Sequence, residues 1–462
     1  MKKVHFIGIG GTGLSAIARI LVEKGYTVSG SDRTLSSLAH ELAELGVTIF
    51  EGHAAANISG AELVIRSSAI PDDNPEVQAA LEAGIPVLKR ADFLSQLIAG
   101  QDCIAIAGTH GKTTTTAMIA WVLTRLGQDP SYIIGGVSKN LGRNAHAGSG
   151  RFFVIEADEY DYMFLGLKPA WEVVTIVEHD HPDCFPTPAD YQAAFVAFTN
   201  RIRPGGGLLA CSDNPGAAAL VSACPPGCLT HTFGTDSSAE YCAEDIAANS
   251  QGGSDFTLNL RRGSAVQLIA RVSLQLPGLH MVRNAAAALA LAHQAGLPAG
   301  AAAQALAEFS GTSRRFDLRG SAFSVDIYND YAHHPTEIRA TLAAARQRYA
   351  SRRIWAVWQP HTYSRTFTLQ NDFAAAFADA DQVLVTEIYA AREKNSGFSS
   401  LQVVQAMDHP SARFCPTLTS AAETLLAELK PGDVVLVLSA GDADQISDQV
   451  LQTLKKREVQ NG

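Results

Sequence analysis

The chain has no apolar run approaching the roughly 18–20 residues that a bilayer-spanning helix needs, so nothing in it calls for membrane insertion. It also lacks an excess of basic charge. Its 36 Lys and Arg stand against 46 Asp and Glu, a net −10. That balance argues against a general surface for nucleic acid or anionic lipid, yet leaves room for a local phosphate pocket. Cysteine is sparse, seven in 462 residues, and the seven are scattered through loops or apolar segments such as those around Cys103 and Cys211. Cys224 and Cys228 flank Pro-Pro-Gly, but no second pair completes a zinc site. These are expected to be reduced thiols of a cytoplasmic protein. Short-period repeats and low-complexity tracts are missing as well. At the N-terminus, Lys2-Lys3 precedes an apolar stretch broken at once by Gly8, Gly10, Gly11 and Gly13, which predicts strand and turn rather than a secretory leader.

What is present is an ordinary globular composition, 47% hydrophobic and 18% charged, in a chain too long for one core. The first hundred or so residues alternate strand and helix: Val4 to Ile9, Gly13 to Lys24, Thr27 to Ser31, Ser36 to Leu45, Leu63 to Ser67, Pro75 to Ala83, then Val87-Leu88. Such alternation predicts a parallel sheet covered by helices on both faces. A linker is expected at Gly100-Gln101-Asp102. A second α/β unit follows, with strands at Cys103 to Ala107, Tyr132 to Ile134, Phe152 to Ile155, Val173 to Val177 and Leu208 to Cys211. Phe256 to Leu260 and Val266 to Leu276 read as antiparallel strands, and Asn284 to Phe309 as helix interrupted near Gly296. After a second linker at Ser310 to Phe316, strands Ile354 to Trp358, Val383 to Glu387 and Val434 to Leu438 alternate with helices. Three α/β domains are therefore expected, at residues 1–99, 100–310 and 311–462.

The most informative segment is Cys103-Ile-Ala-Ile-Ala-Gly-Thr-His-Gly-Lys-Thr-Thr-Thr115. Strand, glycine turn, Lys-Thr and helix form a phosphate cradle. Backbone N–H groups and the positive helix end face the anion, Lys112 neutralises the outer phosphates, and the Thr113 hydroxyl can ligate Mg²⁺. Ile106 stands where the full pattern has glycine, so Gly108 starts a shortened loop. A second glycine cradle, Gly8-Ile-Gly10-Gly11-Thr-Gly13, follows a strand and opens a helix, with Asp32 at the end of the next strand. It signals a nucleotide diphosphate more firmly than it signals NAD. Two cradles in successive domains suggest two phosphorylated ligands brought to one cleft.

Acids and histidines gather at strand ends, where α/β sheets bind ligands. Glu156-Ala-Asp158-Glu159-Tyr-Asp161 follows one strand, and hard carboxylate oxygens suit Mg²⁺. Glu178-His179-Asp180-His181-Pro-Asp183 follows another, and an imidazole there can ligate a metal or touch a phosphate. Asp330-Tyr331-Ala-His333-His334-Pro335-Thr-Glu337 precedes a helix with Pro335 in its first turn. Gln359-Pro-His361-Thr-Tyr363-Ser-Arg365 places His361 and Arg365 at a strand's carboxyl edge, and an Arg fork matches a carboxylate.

In this order the motifs resemble the Mur ligases of peptidoglycan synthesis. The resemblance spans essentially the whole chain: glycines 8–13, Ser67-Ser-Ala-Ile70, Gly108 to Thr115, Ile134-Gly-Gly136, Glu156 to Asp161, the His181 segment, Gly278-Leu-His280 to Asn284, Arg314-Arg-Phe316, Asp330 to Glu337 and Pro360 to Thr366. It implies a Rossmann-like N-terminal domain, a central P-loop ATPase-type α/β domain and a Rossmann-like C-terminal domain. It further implies an ATP-driven amide synthesis, in which L-alanine is joined to the lactyl carboxylate of UDP-N-acetylmuramate through an acyl phosphate. Alanine is suggested by the His-His-Pro-Thr-Glu and Pro-His-x-Tyr-Ser-Arg-Thr segments.

By the same resemblance, ATP would lie against Gly108, Thr109, His110, Gly111, Lys112, Thr113 and Thr114, with His280, Asn284, Arg315 and Asp330. UDP-sugar would lie on Gly8, Gly10, Gly11, Gly13, Asp32, Ser67 and Ser68, with His110 and Asn144 at the muramyl end. Tyr331, His333 and Arg365 would receive alanine. Mg²⁺ or Mn²⁺ would be held by Thr113, Glu156 and His181, and Lys112, Glu156, His181 and His333 would carry the chemistry. A cytoplasmic monomer or homodimer is expected, without nucleic-acid partners. Ile176, Met281 and Thr362 depart from the family pattern, which more commonly has asparagine, asparagine and arginine there. Two other functions compete: a recycling ligase that attaches a preformed tripeptide to the same UDP-sugar, and an NAD-dependent dehydrogenase built on glycines 8–13 and Asp32. The latter leaves Lys112-Thr113 unexplained.

Overall fold

The computed structural model describes residues 2–391, 393–395 and 397–461. Three sheets organise it. The first has five parallel strands in the spatial order Thr48–Glu51, Thr27–Asp32, Lys3–Ile7, Leu63–Arg66, Val87–Lys89. Helix Thr12–Glu23 packs on it through Leu14, Ile17, Ile20 and Leu21, an apolar stripe at helical spacing. The turn between Lys3–Ile7 and this helix needs a glycine at its start: Gly8 has φ +86°, and both Gly8 and Ile9 donate their N–H to the Ser31 carbonyl.

The second sheet has ten strands, and the phosphate-loop strand Asp102–Ala107 lies between Trp171–Val174 and Phe152–Glu156. From Cys103 to Ala107 this strand is buried on both faces, which explains the unbroken apolar run. The antiparallel strands anticipated near 256 and 266 are Ser254–Arg262 and Ala265–Leu274. They extend the parallel sheet through Tyr241–Ala248 instead of forming a separate layer. Helix Lys112–Arg125 is buried along most of its length beneath helix Leu279–Gln294. The third sheet runs Asp317–Ala322, Val325–Asp330, Val434–Ser439, Ile354–Gln359, Gln382–Val385, Ala412–Phe414, antiparallel only at the first pair.

Several boundaries differ from the sequence expectation. The strand expected to run to Val177 stops at Val174, and beyond it the Thr175 hydroxyl bonds the carbonyls of Ala107 and His110, at 3.2 and 2.5 Å. The strand expected to reach Glu387 stops at Val385. Strand Val325–Asp330 was not anticipated, nor were helices Arg90–Leu97 and Pro188–Thr199. The last of these carries a readable signal, a capping box between Thr187 and Asp190 with proline in the first turn. Among the described residues no helix is long and apolar enough to cross a membrane.

Candidate active site

The phosphate loop is a tight structure that only glycine permits. Gly108 has φ +130°, and a Cβ there would lie 2.2 Å from Thr175 Oγ1 and 2.9 Å from the Ile176 carbonyl oxygen. Gly111, at φ +80°, caps helix Lys112–Arg125, so the helix's free N–H groups open toward the loop. Thr109 N–H donates to the Ile176 carbonyl at 2.6 Å, and the Thr109 hydroxyl to the Glu178 carbonyl at 2.9 Å. The loop is thus braced by the next strand's exit. The asparagine expected at position 176 is absent, but this brace uses the main chain of Ile176, which any residue supplies.

Lys112 is held from two sides. Its Nζ donates to the Gly108 carbonyl at 2.5 Å and to both carboxylate oxygens of Glu159, at 2.7 and 3.0 Å. Burial works against charge on Glu159, but Lys112 and His181 hold its carboxyl down to about 2. The Tyr191 hydroxyl adds a hydrogen bond to Glu159 at 3.0 Å. Glu156, the last residue of its strand, accepts the Gly135 N–H at 2.7 Å and the Thr113 hydroxyl at 3.1 Å. Burial pushes its carboxyl up, and Lys112 only partly offsets this. Gly135 leaves it room, since a Cβ there would sit 2.5 Å from Glu156 Oε2. A partly buried carboxylate beside a hydroxyl is a hard-oxygen pair that fits Mg²⁺.

The C-terminal sheet contributes the opposite wall. Asp330 ends its strand, and His334 caps helix Pro335–Arg348 with a ring nitrogen accepting the Thr336 N–H at 3.3 Å. Glu337, in the first turn of that helix, lies 3.2 Å from Arg315 Nη1 and 3.4 Å from His110 Nδ1, and accepts the His333 N–H at 3.1 Å. Burial opposes its charge, yet His333, His110 and Arg315 keep it well below the usual carboxylate range. His333 itself is pushed down to about 3 by burial, against the pull of Glu337. Its Nδ1 lies 2.8 Å from the Tyr331 carbonyl. Arg365 donates from Nε to Asp180 at 2.8 Å and contacts His361 Nδ1 at 3.2 Å and His181 Nδ1 at 3.4 Å. Its fork is therefore already oriented by an acid of the central unit.

Two adjoining cavities share the phosphate loop. One, of about 740 Å³, is lined by His110, Gly111, Thr113 and Thr114, by His280, Met281 and Asn284, and by Arg315 and Asp330. Most of the predicted ATP group is thus together. Met281, where asparagine was expected, gives this cavity an apolar patch. The other, of about 1990 Å³, is lined by Lys112, Thr113, Glu156 and His181, by Asn144, and by Tyr331, His333 and Arg365. Thr12, Ser37 and Leu38 of the first unit border it too, which brings the N-terminal end of the glycine-loop helix to the same crevice. Gly8, Gly10, Gly11, Gly13, Asp32, Ser67 and Ser68 line neither cavity. The Asp32 carboxylate is tied to the loop by the Gly10 N–H at 2.9 Å, and Ser67 lies against Gly8.

Four residues of this region had no role assigned from sequence. Glu159 and Asp180 sat unassigned in the acidic segments, and Glu337 at the end of its motif. Arg90 was missed entirely: a Cβ on Gly13 would lie 2.2 Å from its Nη1, so its guanidinium rests on the start of helix Thr12–Glu23. Burial lowers the Arg90 pKa, opposed by the charges of Asp158 and Glu156.

Three family profiles cover the chain: Mur ligase family, catalytic domain, at residues 3–102; Mur ligase middle domain at 106–292; and Mur ligase, glutamate ligase domain, at 314–441. A UDP-N-acetylmuramate–L-alanine ligase of Acidobacterium capsulatum is 43% identical, with 99% of this chain and 98% of that protein aligned. The crystal structure of a UDP-N-acetylmuramate–alanine ligase from Thermotoga maritima superposes with a TM-score of 0.82 at 28% identity, over 99% of this chain and 100% of that one. A murein peptide ligase of Psychrobacter arcticus gives a TM-score of 0.70 at 27% identity, over 98% and 99%.

Proposed function

The chain belongs to the Mur ligase family, and from that premise we propose that it is the ATP-dependent ligase that joins L-alanine to UDP-N-acetylmuramate, a cytoplasmic step in making peptidoglycan precursors. One observation carries the reading: Lys112 of the phosphate loop, Thr12 at the edge of the glycine loop, and Tyr331, His333 and Arg365 of the third unit all line one crevice. Such a crevice can align a triphosphate, a UDP-linked carboxylate and an amino acid. Aligning reactants in this way supplies much of a phosphoryl or acyl transfer's rate.

In the reaction, the lactyl carboxylate attacks the γ-phosphate of ATP, ADP leaves, and the amine of alanine attacks the acyl phosphate and expels inorganic phosphate. Lys112 and the N–H groups at the start of helix Lys112–Arg125 neutralise charge on the phosphates. Mg²⁺, held by Thr113 and Glu156 with His181 nearby, would supply further neutralisation of phosphate oxygens. His280 and Asn284 face the adenosine, Asn144 and His110 the muramyl group. Arg365, fixed by Asp180, offers its remaining N–H groups to alanine's carboxylate. His333, neutral because burial holds its pKa near 3, is able to accept a hydrogen bond from the incoming ammonium. Closure of the third unit over this crevice would exclude water, which would otherwise hydrolyse the acyl phosphate.

The test is ADP release from purified protein with ATP, Mg²⁺ and UDP-N-acetylmuramate, one amine at a time. Alanine-dependent release is expected. Release only with L-alanyl-γ-D-glutamyl-diaminopimelate would replace this reading with tripeptide recycling. Hydride transfer to NAD without ADP release would replace it with a dehydrogenase.

A further inference from the structure

We propose that His110, Glu178 and His334 form a site for a borderline-soft divalent cation such as Zn²⁺, separate from the Thr113–Glu156 oxygen pair. The three come from different parts of the chain: the phosphate loop, the exit of strand Trp171–Val174, and the N-cap of helix Pro335–Arg348. One ligand atom from each lies within 4.8 Å of the other two, the only such group of three or more His, Cys, Asp or Glu among the described residues. His110 Nε2 hydrogen-bonds Glu178 Oε1, His334 Nδ1 lies 3.3 Å from the same oxygen, and the two imidazole centres are 4.6 Å apart.

The donor set selects the metal. Two imidazoles and a carboxylate form the His₂Glu set of zinc sites, whereas Mg²⁺ prefers oxygen throughout. The histidines are 7% and 5% exposed. The His334 nitrogen that faces Glu178 is Nδ1, which also accepts the Thr336 N–H at 3.3 Å, so a bound ion must displace that cap bond. The competing occupant is a proton. Burial works against charge on His110, but Glu337 and Glu178 push its pKa up to about 9, so a metal must displace that proton. Glu337, 3.4 Å from His110 Nδ1, supplies the outer acid that orients a metal-bound imidazole. Since His334 belongs to the third unit and the other two ligands to the central one, a bound ion would pin these units together across the nucleotide cavity.

The test uses the full chain, stripped of metal and free of nucleotide, titrated with Co²⁺ as a visible stand-in and with Zn²⁺ in competition. Intense low-symmetry Co²⁺ absorption bands that Zn²⁺ abolishes are expected, and they should persist in Glu156→Gln. In His334→Ala the bands should vanish and Zn²⁺ affinity should fall at least tenfold. Because His334 also caps a helix, Glu178→Gln is the second variant, expected to remain folded without metal while losing the bands. Bands that survive both variants, or that depend on Glu156 instead, would overturn the proposal, as would a parent protein that gives none.

Discussion

The ammonium of Lys112 is clasped by both oxygens of Glu159, at 2.7 and 3.0 Å, with the side chains only 13% and 1% exposed. Without nucleotide, Glu159 occupies the lysine as a phosphate would. Truncating it leaves a buried, unpaired charge. Glu159→Ala should therefore cost about 3–5 kcal/mol of stability. ATP should restore part of the loss, since its phosphates replace the missing acid. Thermal melting with and without ATP reads this out; a variant as stable as the parent would mean that the pair is not what neutralises the lysine.

Lys112→Ala should abolish ADP formation while leaving UDP-N-acetylmuramate binding within a few-fold of the parent. The lysine serves the triphosphate, whereas the UDP-sugar is expected on the first unit. Calorimetry for binding and a coupled ADP assay for turnover separate the two effects.

Gly135→Ala tests the oxygen pair. The added methyl would lie 2.5 Å from Glu156 Oε2 and must displace that carboxylate. The Mg²⁺ concentration for half-maximal activity should rise at least tenfold, with the KM for alanine little changed. An unchanged Mg²⁺ requirement would detach Glu156 from the metal.

Arg365→Lys should raise the KM for alanine at least tenfold, a loss of about 1.4 kcal/mol, because a lysine cannot hold Asp180 and a substrate carboxylate together. The KM for ATP should stay within twofold. Equal effects on both would mean that the residue only supports the interface.

Glu172 makes a prediction about pH. It lies in the core strand Trp171–Val174, fully buried, with one oxygen 3.4 Å from the Thr199 hydroxyl and the other without a partner among the described residues. Burial pushes its carboxyl up to about 8. The folded state keeps the proton that the unfolded state has released, so this contribution is fully present below pH 4.5 and is lost as pH rises through about 8. Glu172→Gln should be more stable than the parent by roughly 3 kcal/mol at neutral pH, and by much less near pH 4.5. Denaturant unfolding at the two pH values checks this; an equal difference at both would show that the acid is not buried protonated.

How much of this was legible in sequence follows the range of each interaction. The phosphate loop, the glycine turn and the Pro335 helix start were readable because each is encoded within about ten residues, through φ-specific glycines and helix-end chemistry. The choice among acids was not. Glu156, Asp158 and Glu159 lie within one short segment, and only packing against Tyr191 turns Glu159 onto Lys112 while Glu156 meets Thr113. The Arg365–Asp180 pair spans 185 positions and two sheets, so no local pattern announces it. Arg90 was hidden for the same reason: its place over Gly13 depends on how helix Arg90–Leu97 returns to the first turn.

The central claim is that the triphosphate and the UDP-linked carboxylate meet in one crevice and exchange a phosphoryl group. It is tested most directly with UDP-N-acetylmuramate carrying ¹⁸O in its lactyl carboxylate. With ATP, Mg²⁺ and L-alanine, mass spectrometry should find one ¹⁸O in the inorganic phosphate formed at each turnover. Phosphate released without the label would contradict it.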